Sequence, residues 1–251
     1  MSAPLLEIAG LHKAFGGLQV TRNVSLTLGQ GERVGLIGPN GAGKTTLINL
    51  ITGLMAPTSG AVRLEGTDIT RETQSQRVRR GLVRTFQVTQ LAPTLTVRSQ
   101  VELAIHERTG TVRNMWRPVS GFAAHAEEAR SILAQLRMLE LADECPTDLA
   151  YGQQRLVEIA IAMALRPRVL LLDEPMAGVP SAERQIVLDA LAALPPTLGL
   201  LMIEHDMDLV FSFAHRILVL AEGAVLAEGP PDAIRRHPAV LQAYLGTEAS
   251  A

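Results

Sequence analysis

The chain has 251 residues, 47% hydrophobic but only 3% aromatic, and a formal net charge of −2. That length suffices for one large domain or two small ones around an aliphatic core. So few aromatic platforms, with Arg and Lys dispersed near charge balance, argue against nucleic acid or an anionic lipid surface as the main partner, and the single Cys145 excludes an internal disulfide.

The N-terminal stretch 1–13 lacks a basic segment followed by an apolar one, so no secretion signal is expected. No apolar run approaches the roughly 18 residues that span a bilayer. The expectation is a soluble, cytoplasmic chain; a membrane process would need another subunit to do the spanning. In chain order, short apolar or alternating runs predict strands over 5–9, 24–28 and 33–38, separated by turns at Gly16-Gly17, Gly29 and Gly31. A Gly-rich loop over 38–43 leads into a predicted helix over 44–52. A strand over 62–64 precedes a predicted turn, Glu65-Gly66-Thr67-Asp68, and another strand covers 82–85. From about 88 to 165 helical periodicity takes over, with helices predicted over 97–107 and 121–139. Between them 108–120, with Gly110, Pro118 and Trp116, reads as an irregular connection. Strands return over 169–172, 198–203, 217–220 and 224–227. Aliphatic runs without alternation indicate strands buried on both faces. The layout is α/β: one core over 1–251 with a helical insertion over about 88–165.

The strongest signal is Gly38-Pro39-Asn40-Gly41-Ala42-Gly43-Lys44-Thr45, which fits G-x-x-x-x-G-K-[ST]. Glycines let the backbone curl so that successive N–H groups face phosphate oxygens. The following helix presents its positive N-terminal end to the same anion. Lys44 is expected to reach the β- and γ-phosphates, the Thr45 hydroxyl to ligate Mg²⁺, and Thr46 to bond a neighbouring phosphate. The pattern arises by chance in roughly one chain in a hundred of this length. The bland alternative is a Gly-rich turn before a helix; the preceding strand and following helix favour the phosphate loop.

Val169-Leu170-Leu171-Leu172-Asp173-Glu174 is an apolar strand ending in two acids. At such a place an Asp helps to hold Mg²⁺, mostly through water, and this assigns Asp173. Glu174 is then the candidate general base for an attacking water. Alone, the pair reads equally well as surface acids closing a core strand. His205, after the strand over 200–203, is a candidate γ-phosphate sensor, although a lone His is more often structural. Gln87, in Arg84-Thr85-Phe86-Gln87, offers an amide to Mg²⁺ or water; by itself it reads equally as a solvated loop residue.

With these residues in place, the sequence resembles the ABC transporter ATPase family over nearly its whole length. Leu149-Ala150-Tyr151-Gly152-Gln153-Gln154 looks like the family's signature segment, usually Leu-Ser-x-Gly-Gln. The order of phosphate loop, Gln87, signature, Asp173-Glu174 and His205 is that of the family. A closer resemblance, to cassettes of branched-chain amino-acid uptake systems, rests on Phe15-Gly16-Gly17-Leu18, Asn49-Leu50-Ile51-Thr52-Gly53, Asp68-Ile69-Thr70, Arg84-Thr85-Phe86-Gln87, Glu204-His205-Asp206-Met207 and Ala243-Tyr244-Leu245-Gly246.

The resemblance implies a P-loop NTPase core with an antiparallel β subdomain and a central helical insertion. It implies ATP and Mg²⁺ as cofactors, and hydrolysis coupled to import of a branched-chain amino acid or similar small molecule. An export-type or a non-transport regulatory cassette is the alternative. The implied partners are a second cassette, transmembrane permease subunits and, indirectly, a substrate-binding protein, with the chain peripheral on the inner face of the membrane. Phe15 looks like the aromatic that stacks on adenine; a core Phe in an early strand is the competing reading. Ala150, Gly152 and Gln153 fall where the family's signature faces the γ-phosphate held by the partner. There Ala150 replaces a Ser that would supply a helix cap and a hydroxyl, leaving the Gly152 N–H and the helix dipole. Pro180 stands where the family usually shows Asp or Asn. These departures touch only what the chain gives its partner, which suggests a heterodimer with two unequal sites; a homodimer tolerant of Ala stays open.

Overall fold

The aliphatic runs of the first third pair into two sheets. In the computed structural model, which describes residues 3–85, 91–111 and 123–248 (245–248 as backbone only), β1 (Leu6–Phe15) and β2 (Leu18–Leu28) form a long hairpin. With β4 (Ser59–Leu64) and β5 (Thr67–Asp68) they make an antiparallel sheet of order β2-β1-β4-β5. The second sheet has the order β10-β9-β3-β8-β7-β6. Its strands are β3 (Arg33–Ile37), β6 (Leu82–Arg84), β7 (Val169–Asp173), β8 (Gly199–Ile203), β9 (Arg216–Ala221) and β10 (Ala224–Gly229). Only the β9–β10 pairing is antiparallel.

The described residues divide into two compact units. One comprises 1–84, 168–174 and 196–251 and contains both sheets; the other comprises 85–167 and 175–195. In the first, α1 (Lys44–Thr52) packs its Leu47, Ile48, Leu50 and Ile51 into a core shared with Leu6, Ile8 and Leu26 of the antiparallel sheet and Leu36, Leu171, Leu201 and Leu218 of the parallel one. Each such side chain, fully buried, contributes roughly 1.5–3 kcal/mol. Period-2 alternation sends Leu218 and Leu220 to this core and Ile217 and Val219 to a second one on the opposite face. That second core is closed by Val210 of α7 (Met207–Phe213), Ile234 of α8 (Pro231–Arg235) and Val240 of α9 (Pro238–Glu248).

A buried arginine fixes the far end of α1. Arg77, on α2 (Gln74–Arg79), donates to the carbonyls of Leu50 (2.8 Å), Ile51 (2.6 Å), Thr70 (2.7 Å) and Glu72 (3.1 Å). These include carbonyls that a helix C-terminus leaves without intrahelical partners. Burial pushes its guanidinium pKa down.

The second unit is helical: α3 (Val97–Thr109), α4 (Ala123–Gln135), α5 (Tyr151–Ala164) and α6 (Arg184–Ala192). Thr96 caps α3 by accepting the Ser99 N–H at 3.2 Å. Arg108 grips Glu128 of α4 through two bonds (2.9 and 2.7 Å), and Arg166 joins the same carboxylate at 3.0 Å.

Three expectations need correction. Thr67-Asp68 is not only a turn: it pairs with Arg63-Leu64 as the edge strand β5. The helix predicted to reach 139 ends at Gln135, because Arg137 takes a positive φ of 57° and breaks the helical path. And α3 runs to Thr109, where Gly110 closes it in the left-handed conformation.

Candidate active site

The first unit carries a cleft of about 350 Å³ lined by Asn40 through Thr46, Val20, Glu174, Ile203 and His205. It lies where β3, β7 and β8 end, the usual ligand position in an open parallel sheet. The loop after β3 bends through Gly43, at φ 96°, where a Cβ would stand 2.7 Å from the Val20 carbonyl. Only glycine fits that conformation and that approach. Gly43 is also the N-cap of α1 and supplies no side-chain acceptor, so the first-turn amides face the cleft without a side-chain cap.

Lys44 is 7% exposed, and its Nζ donates to the carbonyls of Gly38 (2.5 Å) and Pro39 (3.0 Å). Burial pushes its pKa down, and the nearby Glu174 charge opposes that shift. Thr45 is exposed and Thr46 half-buried beside it. Glu174 follows β7 in the left-handed conformation (φ 48°), uncommon for a non-glycine residue. Its N–H donates to the Ile203 carbonyl at 2.9 Å, which ties the turn to β8. Its Oε1 lies 2.6 Å from His205 Nε2; facing a carboxylate, the imidazole donates. Asp173, 5% exposed, is ion-paired to Arg84.

Thus the loop residues, Glu174 and His205 share one cleft, with Asp173 directly before Glu174 in the chain. Phe15 ends β1, opposite Leu18 across the hairpin tip; it is 49% exposed, with Lys13 Nζ 5.1 Å from its ring centroid. It is therefore not a core residue. Gln87 lies outside the described residues.

Ala150, Gly152 and Gln153 open α5 in the second unit. Ala150 holds the N-cap position with no side-chain bond, but its own N–H donates to Gln153 Oε1 at 3.0 Å, so half of a capping box is present. The Gly152 N–H, expected from the sequence to remain for an anion, instead donates to Glu183 Oε2 at 2.6 Å. Added at Gly152, a Cβ would stand 3.0 Å from that same oxygen, so the approach depends on the missing side chain.

Sequence reasoning missed Glu183 and Arg84. It also gave Tyr244 no role. Burial pushes the Tyr244 phenol up to about 12, and a bond from the Gly38 backbone opposes the rise, so α9 touches the start of the phosphate loop.

The family model described as "ABC transporter" matches residues 21–177, and one described as "Branched-chain amino acid ATP-binding cassette transporter" matches 224–250. The chain is 40% identical over 259 residues to the high-affinity branched-chain amino acid transport ATP-binding protein BraF of Pseudomonas aeruginosa, covering 98% of this chain and 99% of the relative. It superposes on the ADP conformation of MJ1267, an ATP-binding cassette of an ABC transporter, with a TM-score of 0.85 and 31% identity, covering 98% of this chain and 100% of that one. It also matches the dimeric structure of MJ0796, a bacterial ABC transporter cassette, with a TM-score of 0.73 and 25% identity over 90% of this chain and 98% of that one.

Proposed function

The chain belongs to the ABC transporter family, and we propose on that premise that its cleft binds Mg-ATP and that its α5 completes the corresponding site of a second cassette. It is an ATP-hydrolysing cassette of the branched-chain amino-acid importer type, and such cassettes dimerise and work with membrane permease components. The observation that carries the site reading is the convergence of the glycine loop, Lys44, Glu174 and His205 in one cleft.

Each residue has a role that its surroundings support. The loop amides of 40–46 and the N-terminus of α1 bind the phosphates. Lys44 now rests on the Gly38 and Pro39 carbonyls, and phosphate oxygens offer it stronger, charge-assisted partners. Glu174 takes the proton of the attacking water, while the imidazole of His205 orients its carboxylate. Phe15 is exposed, as stacking on adenine requires; such stacking is worth about 1–3 kcal/mol.

Thr45, Asp173 and Gln87 bear hard oxygen donors of the kind Mg²⁺ takes. Asp173 ends β7 directly before Glu174 of the cleft, so its carboxylate is the anionic member of that set. The ion would neutralise charge on the β- and γ-phosphate oxygens.

In the pair, Ala150, Gly152 and Gln153 face the partner's γ-phosphate. Ala150 offers no hydroxyl and Gly152 is already engaged by Glu183, which supports a heterodimer whose second site is the weaker. The helical part over about 88–165 relays closure to the permease, on the inner face of the membrane, and a substrate-binding protein delivers the amino acid. Glu174→Gln is expected to bind Mg-ATP normally and to hydrolyse it about 10²–10⁴-fold more slowly. Near-normal turnover would refute the base assignment. Ala150→Ser should raise ATP affinity or turnover at the partner's site; an unchanged assembly would remove the case for unequal sites.

A further inference from the structure

Arg84 closes β6, and in the parallel register it lies opposite Leu171 of β7. Side chains two residues apart in a strand share a face, so Arg84, Leu171 and Asp173 point to the same side of the sheet. That side is the one covered by α1. There the guanidinium spans two elements. One Nη pairs with Asp173 Oδ2, and the other donates to Asn49 Oδ1 of α1 at 2.9 Å. The pair is buried, with side-chain exposures of 13% for Arg84 and 6% for Asp173. Asn49 lies one helical turn after Thr45, on the same face of α1.

We infer that Arg84 is a positioning residue for the cation half of the site, tying the Asp173 carboxylate to the helix that carries Thr45. This rests on the proposed role of Asp173 and Thr45 toward Mg²⁺. The rigid fork of a guanidinium sets the angle between its two partners, which a lysine ammonium cannot reproduce. A metal-site carboxylate held this way keeps its direction whether or not the ion is present. Charge alone predicts the opposite effect, since removing a cation beside Asp173 would make Mg²⁺ binding easier. The sign of the change on substitution therefore separates positioning from simple electrostatics.

The experiment follows binding of fluorescent mant-ADP to the full chain while Mg²⁺ is titrated, beside a measurement in EDTA and a thermal melt. Arg84→Met is expected to raise the half-saturating Mg²⁺ concentration about 10-fold or more. Affinity in EDTA should stay within about 2-fold, because the phosphate loop is untouched. Arg84→Lys keeps the charge without the fork and should move the midpoint in the same direction. Asn49→Ala, which leaves the Arg84–Asp173 pair intact, should raise it by less than Arg84→Met does and serves if the Arg84 variants fold poorly. An Mg²⁺ midpoint that stays or falls in these variants, with only the melting temperature lowered, would overturn the inference and leave a merely structural ion pair. If mant-ADP binding by the unaltered chain does not depend on Mg²⁺, the metal reading of Asp173 fails instead.

Discussion

Replacing Arg77 by Met tests how α1, the helix at whose N-terminus the phosphates are proposed to bind, is held at its other end. Arg77 is 1% exposed, and its guanidinium makes four bonds to backbone carbonyls. At about 1 kcal/mol net for each bond, their loss costs about 4 kcal/mol. The Leu50 carbonyl keeps a bond from the Gly53 N–H, and a buried Met avoids the cost of desolvating a charge. Together these return about 1 kcal/mol and leave a net loss of about 3 kcal/mol. For a chain of this size that lowers the melting temperature by about 6–12 °C. Arg77→Lys should recover less than half of the loss, since a single ammonium cannot reach carbonyls on three sides. Circular dichroism melts of the three proteins decide the matter. A drop below about 2 °C for Arg77→Met would refute the account of how α1 is anchored.

Gly43→Ala should weaken Mg-ATP binding by at least about 10-fold, since the new Cβ would stand 2.7 Å from the Val20 carbonyl in a conformation worth about 1–2 kcal/mol of strain; isothermal titration calorimetry reads this directly. Glu183→Ala removes the anion from the first turn of α5 and should cost about 1 kcal/mol of stability in urea melts. His106 is pushed below its ordinary pKa of 6.5 by burial and by His125 beside it, so the unfolded chain takes up its proton more readily than the folded one. The associated stability is present above about pH 6.5 and is lost as pH falls below it; His106→Asn should therefore flatten the difference between urea melts at pH 7.5 and pH 5.5.

How far the sequence can be read varies along the chain. The buried strands β7, β8 and β9 are continuous aliphatic runs, and their limits fall within a residue or two of expectation. β1 is harder, because register shifts between Ile8 and Leu11 and on to Ala14 interrupt the alternation that marks a strand. The expected strand over 5–9 accordingly covers only its first half. α2 carries a readable signal, since Thr73 and Gln76 form a capping box, but at six residues it is too short to announce itself by periodicity. At the site, the phosphate loop and the two acids are local patterns and could be found by eye. Arg84 with Asp173, 89 residues apart, and Gly152 with Glu183, 31 apart, meet only through the fold. Arg77 goes further: nothing in its neighbourhood distinguishes a buried arginine from the exposed Arg79 and Arg80.

Equilibrium binding of Mg-ATP to the unaltered chain and to Lys44→Ala tests the central claim most directly. Saturable binding by the former, weakened about 10- to 150-fold in the latter, is expected from losing charge-assisted bonds worth about 1.5–3 kcal/mol. No saturable binding, or equal affinity in the two proteins, would contradict the assignment of this cleft to a nucleoside triphosphate.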